Sequence, residues 1–444
     1  LEEEMTTDGV NLRELVLDIL LSVTKGEAYS HIALAAVLDK YQYLTKQERG
    51  FITRLTEGVL ERMIELDYMI DQFSNLKTSK MKPVVRCILR MGVYQLKYMD
   101  TVPDSAACNE AVKLAAKKGL NGLKGFVNGV LRNIGRNLDK ICYPDEGDQP
   151  IHALSVQYSM PEWILSQWIK DYGIQKAKSV AASFMCESRT AIRINPMKCS
   201  TEQLNDALNR QGIAAERIYL EGYPDFDYAM YISGYDYLAS IPEFNAGWFM
   251  VQDVSSMLAA HTAAPRPGSY VIDVCAAPGA KSLHAAELMR GQGIVEARDL
   301  TEYKVSLIEE NIARCGFSNI RAIRHDARIL DEAAVAKADV VLADLPCSGL
   351  GVLKKKPEIR YRMTEAAQRG LAALQQEILS VSCRYVKPGG VLLYSTCTIN
   401  RMENEENTRR FLEGHERFSL VGERQFFPDE GEMDGFYIAK FVLG

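Results

Sequence analysis

Along the first third of the chain, apolar residues recur every three or four positions with charged residues between them. That spacing predicts amphipathic helices over Leu12–Val23, Phe51–Ile70, Val84–Met99, Ala106–Lys118 and Gly125–Ile134. Pro83, Pro103, Gly119 and Gly122 stand where such helices should break. No strand-like alternation of useful length intervenes, so residues 1–142 read as an all-α domain.

The stretch Tyr143–Pro150 turns polar and marks a boundary. Beyond it, Pro161–Tyr172 and Ile174–Met185 read as helices, Thr190–Asn195 and Tyr228–Ser233 as strands, and Thr201–Gln211 as a helix. Residues 143–241 are thus a helical linker and a small α+β domain. From 242 to 444, short apolar runs alternate with amphipathic segments. Strands are expected at Tyr270–Val274, Gly293–Asp299, Ile320–Arg324, Val340–Ala343 and Val391–Ser395, with helices over Lys281–Arg290, Glu302–Cys315 and Glu365–Tyr385. Strands joined by helical crossovers predict an α/β domain with a mostly parallel, doubly wound sheet. Phe436–Leu443 adds a late strand, expected to be antiparallel.

Composition sharpens this only slightly. The 444 residues are 47% hydrophobic and 25% charged, the balance of a soluble globular chain of about three domains. No apolar run approaches the ~18 residues that span a bilayer, and the acidic start Leu1–Met5 lacks a secretory pattern. A cytoplasmic protein without membrane contact is expected. The ten cysteines show no C-x-x-C pair and the six histidines no H-x-x-x-H pair, so neither a disulfide framework nor a metal site is predicted.

Charge changes the picture more. The chain carries a net −6, yet Lys77–Lys140 holds thirteen Lys/Arg against four Asp/Glu. A basic segment inside an acidic protein is the footprint of a polyanion-binding face, with Lys117 and Lys118 expected on it. Solvated helix faces are the plainer alternative for any single helix.

Ligands of doubly wound sheets bind beyond the carboxyl ends of the strands. The first strand runs into Cys275-Ala276-Ala277-Pro278-Gly279-Ala280-Lys281, small residues that permit close backbone approach at a helix start. The next three strands end in Asp299, Asp326 and Asp344. Three acids in series would line one nucleoside pocket, although any one of them alone is as well explained by a turn. The G-x-G-x-x-G fingerprint and the P-loop are both absent, so S-adenosylmethionine fits better than a dinucleotide or a nucleoside triphosphate. Two further strand ends carry cysteines, in Asp344-Leu-Pro346-Cys347-Ser-Gly349 and in Ser395-Thr396-Cys397-Thr398.

These paired loops, with Val251–Ser256 and Met402–Asn407, resemble the NOL/NOP/Sun family of RNA cytosine-5 methyltransferases. The resemblance implies a Rossmann-like S-adenosylmethionine-dependent methyltransferase domain over 242–444. It implies Cys397 as the nucleophile on carbon 6 of cytosine, Cys347 as the thiol that assists product release, and Asp344 as the partner of the cytosine ring nitrogen and amino group. Cofactor contacts fall on Cys275 to Lys281, Asp299, Asp326 and Asp344, and Lys281 is implied as a basic neighbour of the thiols. The sequence departs from the family at Ala280, Leu345 and Lys304, none of which removes a reacting group. Lys354–Lys356, Arg360 and Arg362, just past the Pro-Cys loop, are expected to hold flanking phosphates.

Leu12–Arg136 resembles a NusB-type RNA-binding domain, and Arg193–Lys198 resembles the small RNA-recognition-like domain that precedes such catalytic domains. That combination is similar to bacterial 16S ribosomal RNA cytosine-5 methyltransferases, which implies unassembled or early-assembly 16S RNA as partner and cytosine 967 as target. No obligate protein partner is evident. Transfer RNA as substrate, or a non-catalytic assembly factor, remain the alternatives. A DNA methyltransferase would use the Pro-Cys thiol and leave Cys397 unexplained.

Overall fold

The structure is a computed structural model that describes residues 10–187 and 189–444; the acidic start Leu1–Met5 lies outside them. The chain divides into two compact units. One holds the described residues up to Met185 together with Leu353–Arg362; the other holds the described residues of Cys186–Val352 and Met363–Gly444.

The first unit is helical throughout. Helices span Leu12–Lys25, Ser30–Lys40, Lys46–Glu61, Met63–Phe73, Pro83–Tyr98, Asp104–Lys117 and Lys124–Arg136, followed by Pro150–Tyr158, Glu162–Tyr172 and Ile174–Ser183. Local chemistry sets several ends. Thr45 and Glu48 form a reciprocal capping box, Pro83 occupies a helix start where its missing N–H costs nothing, and Gly26 closes the first helix in the left-handed region. The buried stripe of Leu17, Leu20, Leu55, Val59, Ile88, Leu114 and Leu131 forms one core.

The expected helix Phe51–Ile70 is in fact two, broken at Arg62. Its guanidinium donates to Glu65 and lies over the Tyr98 ring at 4.3 Å, tertiary contacts that periodicity does not encode. The helices after Pro150 group with this unit rather than with the α+β domain that follows. One link is the Ser159 hydroxyl, which accepts the Glu65 backbone N–H at 3.0 Å.

The late segment Leu353–Arg362 is built into this unit. Glu358 accepts the Ser30 backbone N–H at 2.9 Å and the Ser30 hydroxyl at 2.7 Å, placing a carboxylate at the start of helix Ser30–Lys40. Arg360 is fully buried and donates to the carbonyls of Tyr158, Ser159 and Leu353. Arg362 donates to the carbonyls of Val23 and Ala28. The expectation that Arg360 holds phosphate is therefore corrected, because its side chain is sealed among backbone carbonyls; Arg362, half-buried, commits its Nη2 to backbone.

The second unit contains two sheets. In the small one, β1 (Thr190–Ile194), β2 (Ala214–Arg217), β3 (Ala229–Ser233) and β4 (Phe249–Val251) run antiparallel in the order β2-β3-β1-β4. The large one comprises β5 (Tyr270–Asp273), β6 (Ile294–Asp299), β7 (Ile320–Arg324), β8 (Ala338–Asp344), β9 (Val386–Thr396), β10 (Phe418–Phe426) and β11 (Phe436–Leu443). Its order is β10-β11-β9-β8-β5-β6-β7, parallel from β7 to β9 and antiparallel at β11 and β10. This is the expected doubly wound sheet, including its antiparallel late strand. Strand order reverses between β5 and β8, so the loops after those strands meet at the topological switch point. No helix among the described residues is long and apolar enough to cross a membrane.

Candidate active site

The parallel register sets Asp344, at the end of β8, beside Ser395 of β9. Ser395 Oγ donates to Asp344 Oδ1 at 2.7 Å, and Lys281 Nζ lies 2.6 Å from Oδ2. Asp344 is thus held from both sides while each oxygen keeps lone-pair capacity for a further donor. Burial works against the charge of Lys281, and Asp344 outweighs it, aided by Asp273 and Cys397, so the ammonium titrates above its usual range.

Just beyond these strand ends, Cys347 Sγ and Cys397 Sγ stand 3.3 Å apart. The hydrogen bond to Cys397 and burial push the Cys347 thiol well up, and either sulfur can be the donor of the bond between them. The two loops are also joined by backbone: Gly351 N–H donates to the Cys397 carbonyl at 3.0 Å. A Cβ at Gly351 would fall 1.9 Å from the Gly435 carbonyl oxygen, so only glycine fits that crossing.

After β5, Gly279 adopts φ +102°, which turns the chain into helix Ala280–Leu288. Ala276 N–H donates to the Arg298 carbonyl, and Ala277 N–H donates to Asp299 Oδ2 at 3.0 Å. Asp299 Oδ1 accepts from Leu300 N–H at 2.7 Å and pairs with Lys304 at 3.0 Å. Burial, with the nearby charges of Asp273, Asp299 and Asp344, pushes the Cys275 thiol up. The structure thus gathers Cys275–Lys281, Asp299 and Asp344 around one loop. Asp326 lies beyond β7, one strand further out, with both oxygens engaged by Arg328.

Two residues here were given no role by the reading of the sequence. Asp273 is fully buried, accepts Ser282 Oγ at 2.7 Å, and has its Oδ1 without a partner; burial lifts its carboxyl to about 7. Glu403, also fully buried, accepts from Ser348 N–H at 2.8 Å, Ser348 Oγ at 2.5 Å, Asn400 Nδ2 at 2.7 Å and Gln375 Nε2 at 3.1 Å. The only sequence signal for Glu403 was its place in the acidic segment after Thr-Cys.

The basic segment divides into structural and exposed charge. Arg90 pairs bidentately with Asp67, and Lys97 pairs with Glu65, both largely buried. Lys117 pairs with Glu14, and Lys118 with Glu14 and Asp18. These surface pairs offset part of the positive charge, while the Lys117 side chain stays 57% exposed. Lys80 and Lys82 are exposed at the rim of a cavity of about 770 Å³ that Phe73, Leu76 and Phe126 also line.

A mostly parallel seven-stranded sheet, with an acid-lined loop at its switch point and paired thiols at its edge, defines a Rossmann-like methyltransferase. The family described as 16S rRNA methyltransferase RsmB/F matches residues 260–442. The NusB family matches residues 10–136, and the ferredoxin-like domain of RsmF/B-like methyltransferases matches 160–221. The chain is 37% identical to the probable ribosomal RNA small subunit methyltransferase B of Bacillus subtilis, over 97% of this chain and 98% of that one. It is 33% identical to the protein of the same name from a Synechocystis species, over 97% and 99%. The crystal structure of PH0851 superposes with TM-score 0.83 at 25% identity, covering 98% of this chain and 99% of that one. The chain belongs to the ribosomal RNA small subunit methyltransferase B family, and it is an RNA methyltransferase.

Proposed function

We propose that the protein transfers a methyl group from S-adenosylmethionine to carbon 5 of a cytosine in 16S ribosomal RNA, cytosine 967 by resemblance, through a covalent adduct at carbon 6. The observation that carries this reading is the 3.3 Å approach of Cys347 and Cys397 sulfurs beside Asp344.

Carbon 5 of cytosine is too weak a nucleophile to attack a methyl sulfonium unaided. By resemblance Cys397 is the sulfur that adds to carbon 6, which makes carbon 5 enamine-like. Asp344, steadied by Lys281 and Ser395, accepts from the cytosine amino group and the protonated ring nitrogen. After methylation the carbon-5 proton leaves to a base, the carbon 6–sulfur bond breaks, and Cys397 departs; Cys347 serves this release.

The residues present fit the cofactor. The backbone of Cys275–Lys281 approaches closely at Gly279, and Asp299, fixed by two backbone N–H groups, keeps lone pairs for a ribose diol. Leu300, 51% exposed beside Asp299, offers an apolar face to a purine. When bound, S-adenosylmethionine supplies the electrophilic methyl group. Asp326 is proposed as an outer contact of the same nucleoside pocket.

The test uses Cys347→Ala with S-adenosylmethionine and 16S RNA. The expected result is a denaturant-resistant protein–RNA adduct that disappears in Cys347→Ala/Cys397→Ala. Methyl transfer retained by Cys397→Ala sinks the nucleophile assignment.

A further inference from the structure

We infer that Glu403 is a positioning residue that locks the Pro-Cys and Thr-Cys loops together and so sets the distance between the two thiols. The inference rests on the proposed roles of Cys347 and Cys397. Glu403 lies on neither cysteine loop's strand; it sits in the turn before helix Glu405–Gly414. Its Oε2 accepts Ser348 N–H, next in sequence to Cys347, and its Oε1 accepts Asn400 Nδ2, three residues past Cys397. Ser348 Oγ gives its single proton to Glu403 Oε1, so Thr398 Oγ1, 2.7 Å away, donates to Ser348 Oγ. Ser348 and Thr398 each directly follow a cysteine, so this contact spans the two loops beside the sulfurs.

Gln375, from helix Glu365–Ser382, completes the clamp. Its Nε2 donates to both the Pro346 carbonyl and Glu403 Oε2, while its Oε1 accepts from Tyr394 OH and Asn407 Nδ2. All four groups on the Glu403 carboxylate are donors. A carboxylate only accepts, whereas a glutamine would direct two protons into this ring of donors. The buried clamp therefore demands the carboxylate itself, and an amide of the same shape does not replace it.

The experiment reads the sulfur–sulfur geometry directly. Diamide oxidises two adjacent thiols to a disulfide: each sulfur loses its proton and one electron, and the diazene is reduced to the hydrazine. Wild type should form the Cys347–Cys397 disulfide, mapped as a peptide pair two mass units lighter. Glu403→Gln should form it at least tenfold more slowly, with kcat for methyl transfer at least tenfold lower and KM for 16S RNA within threefold. A lower Tm with an unaltered disulfide rate would mean Glu403 merely stabilises the fold, and would overturn the inference. So would a wild type that forms no such disulfide. Should Glu403→Gln fail to fold, Ser348→Ala removes the hydroxyl that donates to Glu403 and accepts from Thr398 while keeping the Ser348 N–H on Glu403; a slowed rate supports the clamp and an unchanged rate overturns it. Oxidation needs neither RNA nor cofactor. A wild type that forms the disulfide in a Glu403-dependent way but transfers no methyl group overturns the proposed reaction and supports the clamp.

Discussion

Arg193 and Glu287 meet through two hydrogen bonds, Nε to Oε2 at 2.6 Å and Nη2 to Oε1 at 3.0 Å, with both side chains sealed from water. Arg193 lies on β1 of the small sheet and Glu287 on the helix that follows the Gly279 turn. Its third donor reaches the Ala280 carbonyl at 3.0 Å, and nearby Asn195 donates to the carbonyls of Gly247 and Cys315. The Arg193–Lys198 segment thus ties the small sheet to the catalytic one.

Removing one member of such a pair strands a buried charge. Arg193→Ala should cost about 3–5 kcal/mol of stability in urea unfolding, whereas replacing both residues by apolar ones of similar volume should cost far less. A loss below about 1 kcal/mol for Arg193→Ala would show that the charge is not isolated from water.

Ser395 donates its hydroxyl to the Asp344 carboxylate that Lys281 also holds, a bond to a charged partner worth roughly 1.5–3 kcal/mol. Ser395→Ala should lower kcat by about 10- to 100-fold with S-adenosylmethionine affinity preserved. Unchanged turnover would remove Asp344 orientation from the reaction.

Asp273 titrates near 7 in the folded chain against 3.8 for its ordinary value, because burial disfavours its charge. A raised folded value stabilises below the unfolded pKa, and that contribution is lost as pH climbs through about 4 to about 7. Wild type should therefore lose stability, on the order of a few kcal/mol, over this window, and Asp273→Asn should flatten the loss. Parallel slopes for both proteins between about pH 4 and about pH 7 in urea unfolding would contradict the buried-acid assignment.

Lys80 and Lys82 are exposed, while Lys117 and Lys118 are paired with acids. Lys80→Glu/Lys82→Glu should weaken 16S RNA binding and reduce the slope of log K against log salt by on the order of 1.5. Reversing Lys117 and Lys118 should chiefly lower Tm, by repelling Glu14 and Asp18. Equal effects of both pairs on the salt slope would return the basic segment to generic surface charge.

The sheet was legible because β5, β6, β8 and β9 carry apolar runs bounded by turns, and because their acids and cysteines fall at strand ends. The α+β arrangement of the small domain followed from β1 and β3, while edge strand β2, only four residues of Ala-Ala-Glu-Arg, left no pattern. β10 escaped for a related reason: it is an edge strand whose middle faces water, so its polarity mimics a loop. Helix Ser30–Lys40 buries only Ser30 and Leu34, too little to imprint a periodicity. In the site, Cys347, Cys397 and Asp344 could be named from local motifs. Gln375, Ser395 and Glu403 could not, because their contacts exist only once separate loops converge. Arg360 was misread as a phosphate-facing charge because a residue's type does not reveal its burial.

Leu353–Arg362 gives the order of synthesis a physical meaning. The N-terminal helices leave the translating ribosome without Glu358 to cap Ser30 and without Arg360 to fill its place among the Tyr158 and Ser159 carbonyls. At 5–20 residues per second, the missing decapeptide follows Met185 by roughly 10–35 s. Until then the first unit has its helices from Leu12 to Ser183 but not its last buried strap, and it waits on the nascent catalytic polypeptide to become whole.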